Sequence, residues 1–575
     1  MDTDLLDAAR RWIAADPDPT TRQEMQSLVD AGDLDALEDR HGSSLTFGTP
    51  GLRGVLGAGT NRMNLAVVLR TTVGLCRYLV AVDPARAQRG VVVGYDGRRM
   101  SREFAEAAAR VIASEGLPCH LFDDLGPTPL VAYAVLALDA AAGVMVTASH
   151  NPPEYNGYKA YWDNGAQIIP PQDVGIAAAI DAVPSVASVA RDEHSPRVKP
   201  VPAEVTDAYL TALRALTPVT GRHQPLTMVY TALHGVGNAL ATLVLAHWGA
   251  VHSVPEQAEP DGRFPTVAFP NPEEKGALDL SFALAKRVGA QVILANDPDA
   301  DRLAVAVPRG DGWAQLSGND VGVLLGHHLL TEGDPSGRRL VAMSIVSSPL
   351  LGVIAKKLGV RCEETLTGFK WIANRAMEVE AATGERFVFG YEEALGYSVG
   401  TLVRDKDGIS AAYVAAGLAS ALATRGETLA SRLEAIHREY GYFASGQRSV
   451  TARGADGMAA IATTMKAFRA RPLDALGGRP VVATRDYQTG LRTDASGAVT
   501  PIGLPPSNVI AYELEGGSRV MLRPSGTEPK IKFYFDVREE IAAGESYADG
   551  AARAQRTLQA AVEEFTRASQ ARGGL

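Results

Sequence analysis

Apolar and polar positions change period repeatedly along this chain. Near the N-terminus Leu5, Leu6, Ala9 and Ile13 recur at helical spacing. Thr20 or Thr21 is placed to cap a second helix, with Glu24 in its first turn. Short β-branched runs then alternate with helical stretches. Gly90-Val91-Val92-Val93-Gly94 and Ala142-Gly143-Val144-Met145-Val146 predict buried strands, and 101–115 predicts a helix with Ser101 as N-cap. Further strands are expected at 226–230, 291–295, 386–389, 519–522 and 531–535. This alternation predicts α/β layers. The most apolar stretch, 129–146, is interrupted by Asp139 and Gly143. A membrane span needs about 20 largely uncharged residues, so a buried core segment is expected there instead.

A chain of 575 residues suggests about four domains at roughly 150 residues each. The stretch 181–203, rich in Pro, Ser and Val and without a period, marks the first boundary. A Gly-containing segment at 441–446 reads as a hinge to a C-terminal unit. The expected domains are 1–205, 206–315, 316–440 and 441–575, and no short-period repeat joins them. The formal charge of −10 argues against a nucleic-acid surface, though a local basic pocket for a small anion remains compatible with it. Cys76, Cys119 and Cys362 are scattered and odd in number, offering neither a disulfide framework nor a metal pair. With Asp2, Asp4 and Asp7 opening the chain in place of a basic-then-apolar leader, a cytoplasmic protein with no membrane partner is expected.

Four polar loops carry the candidate chemistry. In Thr147-Ala148-Ser149-His150-Asn151-Pro152-Pro153 a strand delivers Ser149 to a loop that the prolines keep out of helix. His150 and the following Lys159 offer positive charge or proton transfer; a turn serine bonding its own backbone is the plainer reading. In Asn296-Asp297-Pro298-Asp299-Ala300-Asp301-Arg302 three aspartates alternate after an apolar strand. At about 4–5 Å each pair repels by about 3–4 kcal/mol at a dielectric near 20, relieved by solvent or a cation. Hard oxygen ligands in so compact a loop suit Mg²⁺, and Arg302 and Pro308 fall where a calcium-binding EF-hand loop needs Gly and Glu. The rival is a solvated acidic turn at the surface.

Gly390-Tyr391-Glu392-Glu393-Ala394-Leu395-Gly396-Tyr397 sets two carboxylates after a strand, suited to accepting sugar hydroxyls. A glycosidase pair and an acidic helix N-terminus are the alternatives. Arg523-Pro524-Ser525-Gly526-Thr527-Glu528-Pro529-Lys530 offers amides, hydroxyls and a guanidinium for an anion, or else a simple β-turn. His234-Gly235-Val236-Gly237-Asn238-Ala239-Leu240 mimics a dinucleotide loop, but Leu240 occupies the third glycine position. No Walker A, HExxH or GxSxG pattern occurs. A serine able to hold phosphate, a divalent-metal loop, a polyol-binding pair and a phosphate nest describe one chemistry, phosphoryl transfer on a sugar.

TASHNPPEYNGYK, NDPDADR, GYEEALGY and RPSGTEPK resemble, in order, the four signature loops of the α-D-phosphohexomutase superfamily. Gly48-Thr49-Pro50-Gly51-Leu52-Arg53-Gly54, Gly94-Tyr95-Asp96-Gly97-Arg98, Thr367-Gly368-Phe369-Lys370 and Arg404-Asp405-Lys406-Asp407-Gly408 extend the resemblance. The N-terminal region and GTNRMN at 59–64 are similar to the branch holding a bacterial phosphoglucomutase type and the animal phosphopentomutase type. The resemblance implies three similar α/β domains and a smaller C-terminal α+β domain around a central cleft. It implies glucose 1-phosphate/glucose 6-phosphate interconversion through a phosphoserine and a sugar bisphosphate, the latter also the activator. Phosphomannomutase and phosphopentomutase are the alternatives, and a non-catalytic phosphosugar-binding protein the remote one. Ser149 is then the phosphoryl carrier, and with Asp297, Asp299 and Asp301 it holds one Mg²⁺ per chain. Lys159, with His150 as alternate, is the proton carrier, and Arg53 assists. Arg302, Thr367, Gly368, Lys370, Glu392, Glu393, Lys406, Arg523, Ser525, Gly526, Thr527 and Lys530 are the expected phosphosugar contacts. A monomer or homodimer acting on a small phosphosugar is expected. Two departures from the family pattern stand out. Pro50 replaces an Ala common in relatives, and Ala394 replaces a Ser usual in hexose-specific members, which removes one hydroxyl from the sugar loop.

Overall fold

A computed structural model describes residues 2–48, 51–216, 223–452, 457–525 and 530–573. Three helices, Asp2–Ala15, Pro19–Ala31 and Leu34–His41, open the chain and enclose a small core of Ala9, Met25, Leu37 and Ala58. The cap of the second helix is Asp18 and not Thr20 or Thr21. Pro19 takes the first helical position, where its missing N–H costs nothing, so the carboxylate before it accepts from Thr20 N.

Three sheets follow the same plan. In the first, Val91–Tyr95 lies between the parallel strands Ala142–Val146 and Cys119–Leu121, and Tyr155–Trp162 returns antiparallel to Ala142–Val146. Leu52–Val55 adds an antiparallel edge and Val198–Pro200 a parallel one. In the second, Leu226–Thr231 lies between Gly249–Ser253 and Val292–Ala295, all parallel, and Ala304–Arg309 returns antiparallel to Val292–Ala295. In the third, Arg339–Ser344 lies between Arg361–Thr365 and Arg386–Glu392, all parallel, and Gly396–Val399 returns antiparallel. Central strands such as Val91–Tyr95 are buried on both faces, which is why they read as continuous apolar runs.

One apolar core takes in Val92 and the helix Thr128–Ala137, runs through the second unit and the third, and reaches Phe443 at the start of the C-terminal unit. Helix Ala203–Arg214 crosses residue 205 and places Tyr209 and Leu213 in that shared core. Helix Leu65–Val82 is apolar and long enough to cross a membrane. More than half of it is buried, with Val68, Leu75 and Leu79 in the first unit's core. Helix Ser101–Ser114 is preceded by Met100 in a left-handed conformation. Ser101 is therefore not its cap, and its hydroxyl donates to Asp96 instead.

The C-terminal unit is an antiparallel sheet covered by helices Gly457–Ala470 and Tyr547–Gly573 around Phe468, Tyr512, Phe533 and Phe565. The segment expected as a hinge is instead the start of an edge strand, Tyr442–Thr451, paired along its whole length with Lys530–Glu539. Only Gly441 separates it from helix Leu429–Tyr440. This unit docks on the third through Ile345, Val346 and Leu366 against Tyr487, Met521 and Tyr534.

Candidate active site

In each of the first three sheets a polar loop leaves the carboxyl end of a parallel strand, just before the antiparallel return strand. Open α/β sheets place their ligand crevices at such strand ends. The loop after Ala142–Val146 presents Ser149, which is 2% exposed and has a left-handed backbone with φ of 52°. Its backbone N–H donates to Thr147 Oγ1 at 2.8 Å. Its hydroxyl donates to Asp297 Oδ2 at 2.8 Å, and His150 Nδ1 lies 3.1 Å from Ser149 Oγ. Burial, with Arg302 and Arg53 nearby, holds His150 well below the ordinary histidine range, so its ring is neutral at pH 7. Arg53, on Leu52–Val55, donates to Asn151 Oδ1 at 3.0 Å.

The aspartate loop follows Val292–Ala295. It is not a solvated surface turn, because Asp297, Asp299 and Asp301 are at most 1% exposed. Cations from distant parts of the chain offset much of their mutual repulsion. Lys159 Nζ donates to Asp299 Oδ2 at 2.6 Å and to Asp301 Oδ2 at 2.8 Å, and Lys406 Nζ lies 3.3 Å from Asp301 Oδ2. Thr128 donates its hydroxyl to Asp299. Oxygens of all three carboxylates lie within 4.8 Å of one another. Asp299 Oδ1 and Asp301 Oδ1 are buried with no hydrogen-bond partner among the described residues. Buried orphan carboxylate oxygens are costly, and a hard divalent cation is the partner their chemistry suits. The loop that resembled a dinucleotide site packs against this one. A side chain at Gly235 would meet Pro298 Cα at 2.3 Å, and Val236 N donates to Pro298 O.

Burial pushes the Lys159 ammonium down, but Asp299 and Asp301 outweigh it and its pKa is raised. Lys406 is raised in the same way by Asp301, Asp405 and Glu392 against burial. Both carry a proton at neutral pH in this arrangement. Arg302 reaches towards Glu273, 3.8 Å away, and towards Asp297 and Asp301 at 4.0 and 3.9 Å.

Glu392 ends its strand and accepts from Gly368 N at 2.6 Å. Glu393 accepts from Ser344 and Ser347 hydroxyls, each at 3.2 Å. Burial raises both glutamates. Thr367 and Gly368 precede helix Phe369–Thr383 and are half-buried. Lys370 is buried beside Trp371, and the charge facing it is Asp173 of the first unit. In the C-terminal unit Arg523 lies opposite Lys532 in the strand pairing and hydrogen-bonds the Tyr534 hydroxyl, and Lys530 also stands near Lys532. Ser525 N donates to Lys530 O at 2.7 Å. Gly526 and Thr527 fall outside the described residues, as do Thr49 and Pro50. A cavity of about 470 Å³ opens beside Glu393 and Tyr534.

Sequence reading missed Thr128, Glu273, Ser344, Ser347 and Lys532. Only Lys532 carried a signal, being on the face of its strand shared with Lys530.

Family models described as phosphoglucomutase/phosphomannomutase alpha/beta/alpha domains I, II and III match residues 44–186, 207–310 and 317–440, and the C-terminal domain model matches 473–554. A phosphopentomutase of Mus musculus is 39% identical, the match covering 93% of this chain and 91% of that protein. A probable phosphomannomutase of Haemophilus influenzae is 44% identical over 83% of this chain and 93% of its own length. The fold is shared with a putative phosphomannomutase from Thermus thermophilus, with a TM-score of 0.65 at 22% identity, covering 92% of this chain and 99% of that one.

Proposed function

The chain belongs to the phosphoglucomutase/phosphomannomutase family, and from that premise we propose that it interconverts glucose 1-phosphate and glucose 6-phosphate through a phosphoserine and a sugar bisphosphate. The observation that carries the reading is the Ser149 hydroxyl 2.8 Å from Asp297 in a carboxylate cluster with orphan buried oxygens. Asp297, Asp299 and Asp301, with phosphorylated Ser149, would hold Mg²⁺. When bound, Mg²⁺ supplies positive charge against the phosphoryl oxygens as charge shifts during transfer.

Ser149 carries the phosphoryl group and gives it to the free hydroxyl of the sugar monophosphate. The bond from phosphorus to Ser149 Oγ breaks as the bond to the sugar oxygen forms, and the hydroxyl proton leaves to a base. Neutral His150, 3.1 Å from Ser149 Oγ, can take up that proton. Lys159 arrives protonated, so it serves as charge or acid until its partners are neutralised. Arg53 and Arg302 add positive charge beside the same loops. Glu392 and Glu393 accept sugar hydroxyls from either orientation of the bisphosphate, with Thr367, Gly368 and Lys406 around them. Arg523, Ser525, Gly526, Thr527 and Lys530, joined by Lys532, grip the phosphate distant from Ser149, using remote binding energy for orientation.

A pentose 1-phosphate is the second reading. Ala394 offers no hydroxyl to a hexose, and the 39%-identical relative is named a phosphopentomutase. The test is kcat/KM for glucose, mannose and ribose 1-phosphates with a sugar bisphosphate supplied. Glucose 1-phosphate is expected to be best. A ribose value about tenfold above glucose, worth 1.4 kcal/mol of transition-state stabilisation, would overturn the glucose assignment for the pentose one.

A further inference from the structure

A buried arginine outside the four signature loops holds the loop that presents Ser149. Arg98 follows the strand Val91–Tyr95, and its side chain is 1% exposed. Its guanidinium ends in four backbone carbonyls of one neighbouring loop. Nη1 donates to Pro152 O at 2.9 Å and Tyr155 O at 3.2 Å. Nη2 donates to Ser149 O at 2.6 Å and to Asn151 O. Such a use of a charged group is informative, because a guanidinium has no need of a buried site to fold a surface loop. Here its planar fork reads the shape of the whole turn from 149 to 155.

A second contact reaches the same serine from its N-terminal side. Asp96 Oδ2 accepts from the Thr147 hydroxyl at 2.6 Å, and the oxygen of that hydroxyl accepts from Ser149 N at 2.8 Å. Asp96 is fixed in turn by Ser101 and by Arg98 N. Its carboxylate also lies 3.5 Å from Arg98 Nε. Ser149 is thus held at its N–H by one relay and at its C=O by a guanidinium, in a left-handed conformation that a serine avoids unless its surroundings enforce it. The second unit closes over this arrangement. Phe264 stacks on the Arg98 guanidinium at 4.9 Å, and the chain at Gly262 approaches so closely that a Cβ there would lie 2.8 Å from Arg98 Cα. The unit that carries Asp297 therefore also covers the clamp on Ser149.

We propose that Asp96 and Arg98 are positioning residues for the phosphoryl carrier, fixing Ser149 Oγ against the aspartate loop without touching the sugar phosphate. This rests on the proposed role of Ser149. A reacting atom displaced by about 1 Å costs about 10²-fold in rate, so Arg98→Lys, which cannot span four carbonyls, should slow Ser149 phosphorylation to that extent. The KM for the phosphosugar should change little, because the groups that grip the sugar and its remote phosphate lie on other loops. Thr147→Val is nearly the same shape and removes only the relay, so about tenfold is expected, the scale of one lost hydrogen bond.

Two measurements decide. The first is single-turnover phosphorylation of Ser149 by glucose 1,6-bisphosphate, alongside steady-state kcat and KM. The second is hydrogen exchange of the 147–155 amides, which needs no activity. Slower phosphorylation with KM held, and faster exchange confined to 147–155, is the expected result. Wild-type phosphorylation in folded Thr147→Val and Arg98→Lys, or a raised KM at unchanged kcat, would overturn the proposal. If Arg98→Lys does not fold, Thr147→Val alone decides by the same two readings. If the wild type takes no phosphate on Ser149, the mutase reading fails, and unchanged loop exchange in the variants would then be what overturns the clamp.

Discussion

Lys370 provides the sharpest separation between a substrate contact and a structural residue. The residue is 6% exposed, and its ammonium faces Asp173 and stacks at 5.2 Å from the Trp371 ring. Burial pushes its pKa from the ordinary 10.5 down to about 8. Below pH 8 the lysine is charged in both folded and unfolded chains, and the folded charge is the disfavoured one. The shift then corresponds to about 3 kcal/mol of lost stability. Between pH 8 and 10.5 the folded lysine is neutral while the unfolded one still binds a proton, so stability rises with pH. Above 10.5 the penalty is gone. Lys370→Met keeps the length and removes the charge. It forfeits about 0.5–1 kcal/mol of stacking, leaving a net gain of roughly 2 kcal/mol below pH 8. Denaturant midpoints of wild type and variant at half-unit steps from pH 6 to 11 should show a gain that fades across 8 to 10.5, with KM for the phosphosugar unchanged at pH 7. A pH-independent difference, or a variant less stable at pH 7, would refute the burial argument. A KM raised tenfold would return Lys370 to the sugar-phosphate site.

Ser149→Ala should retain phosphosugar binding and lose nearly all turnover, and intact-mass analysis of active wild type should find one phosphate on Ser149. Asp299→Asn should lower Mg²⁺ affinity by about tenfold or more, read by calorimetry, and full activity in chelator-treated wild type would refute the metal assignment. Arg523→Lys replaces a two-toothed grip on phosphate by a point charge and should raise KM while leaving Ser149 able to accept phosphate from a bisphosphate. Because His150 is held below its ordinary value, kcat should stay flat from pH 7 downward to that lowered pKa and fall only below it; a fall centred on the ordinary value of 6.5 would exclude His150 as the group that takes up the proton.

The loops were legible because each compresses its chemistry into seven or eight consecutive residues. Their convergence was not. Ser149 and Asp297 are 148 positions apart, Thr128 and Asp299 are 171, and no local period encodes either meeting. The aspartate run reads as a metal loop, and a solvated turn stays open as its rival because its neighbours in sequence supply one cation, Arg302, whereas its neighbours in space add Lys159 and Lys406. The small residues at 441–446 read as a hinge because pairing partners 89 to 97 positions downstream cannot be seen from inside the segment. Asp18, by contrast, was readable from the proline that follows it.

The absence of a sequence repeat has a physical reason as well. The three sheets repeat a parallel strand, a loop at its carboxyl end and an antiparallel return. Strand cores constrain only apolarity and size, so Ala142–Val146, Val292–Ala295 and Arg386–Glu392 share no spelling. The loops they carry do unlike work and share none either: one presents a hydroxyl, one gathers carboxylates and one offers glutamates. What is common to them is position, and position is held by residues outside the loops, such as Arg98 on four carbonyls and Thr128 on Asp299. Substitutions in the loops should therefore divide by the chemistry they remove, sugar contacts moving KM and the serine and aspartate loops moving kcat. Substitutions in the holders should all move kcat, because they displace reacting groups without removing any contact to the sugar.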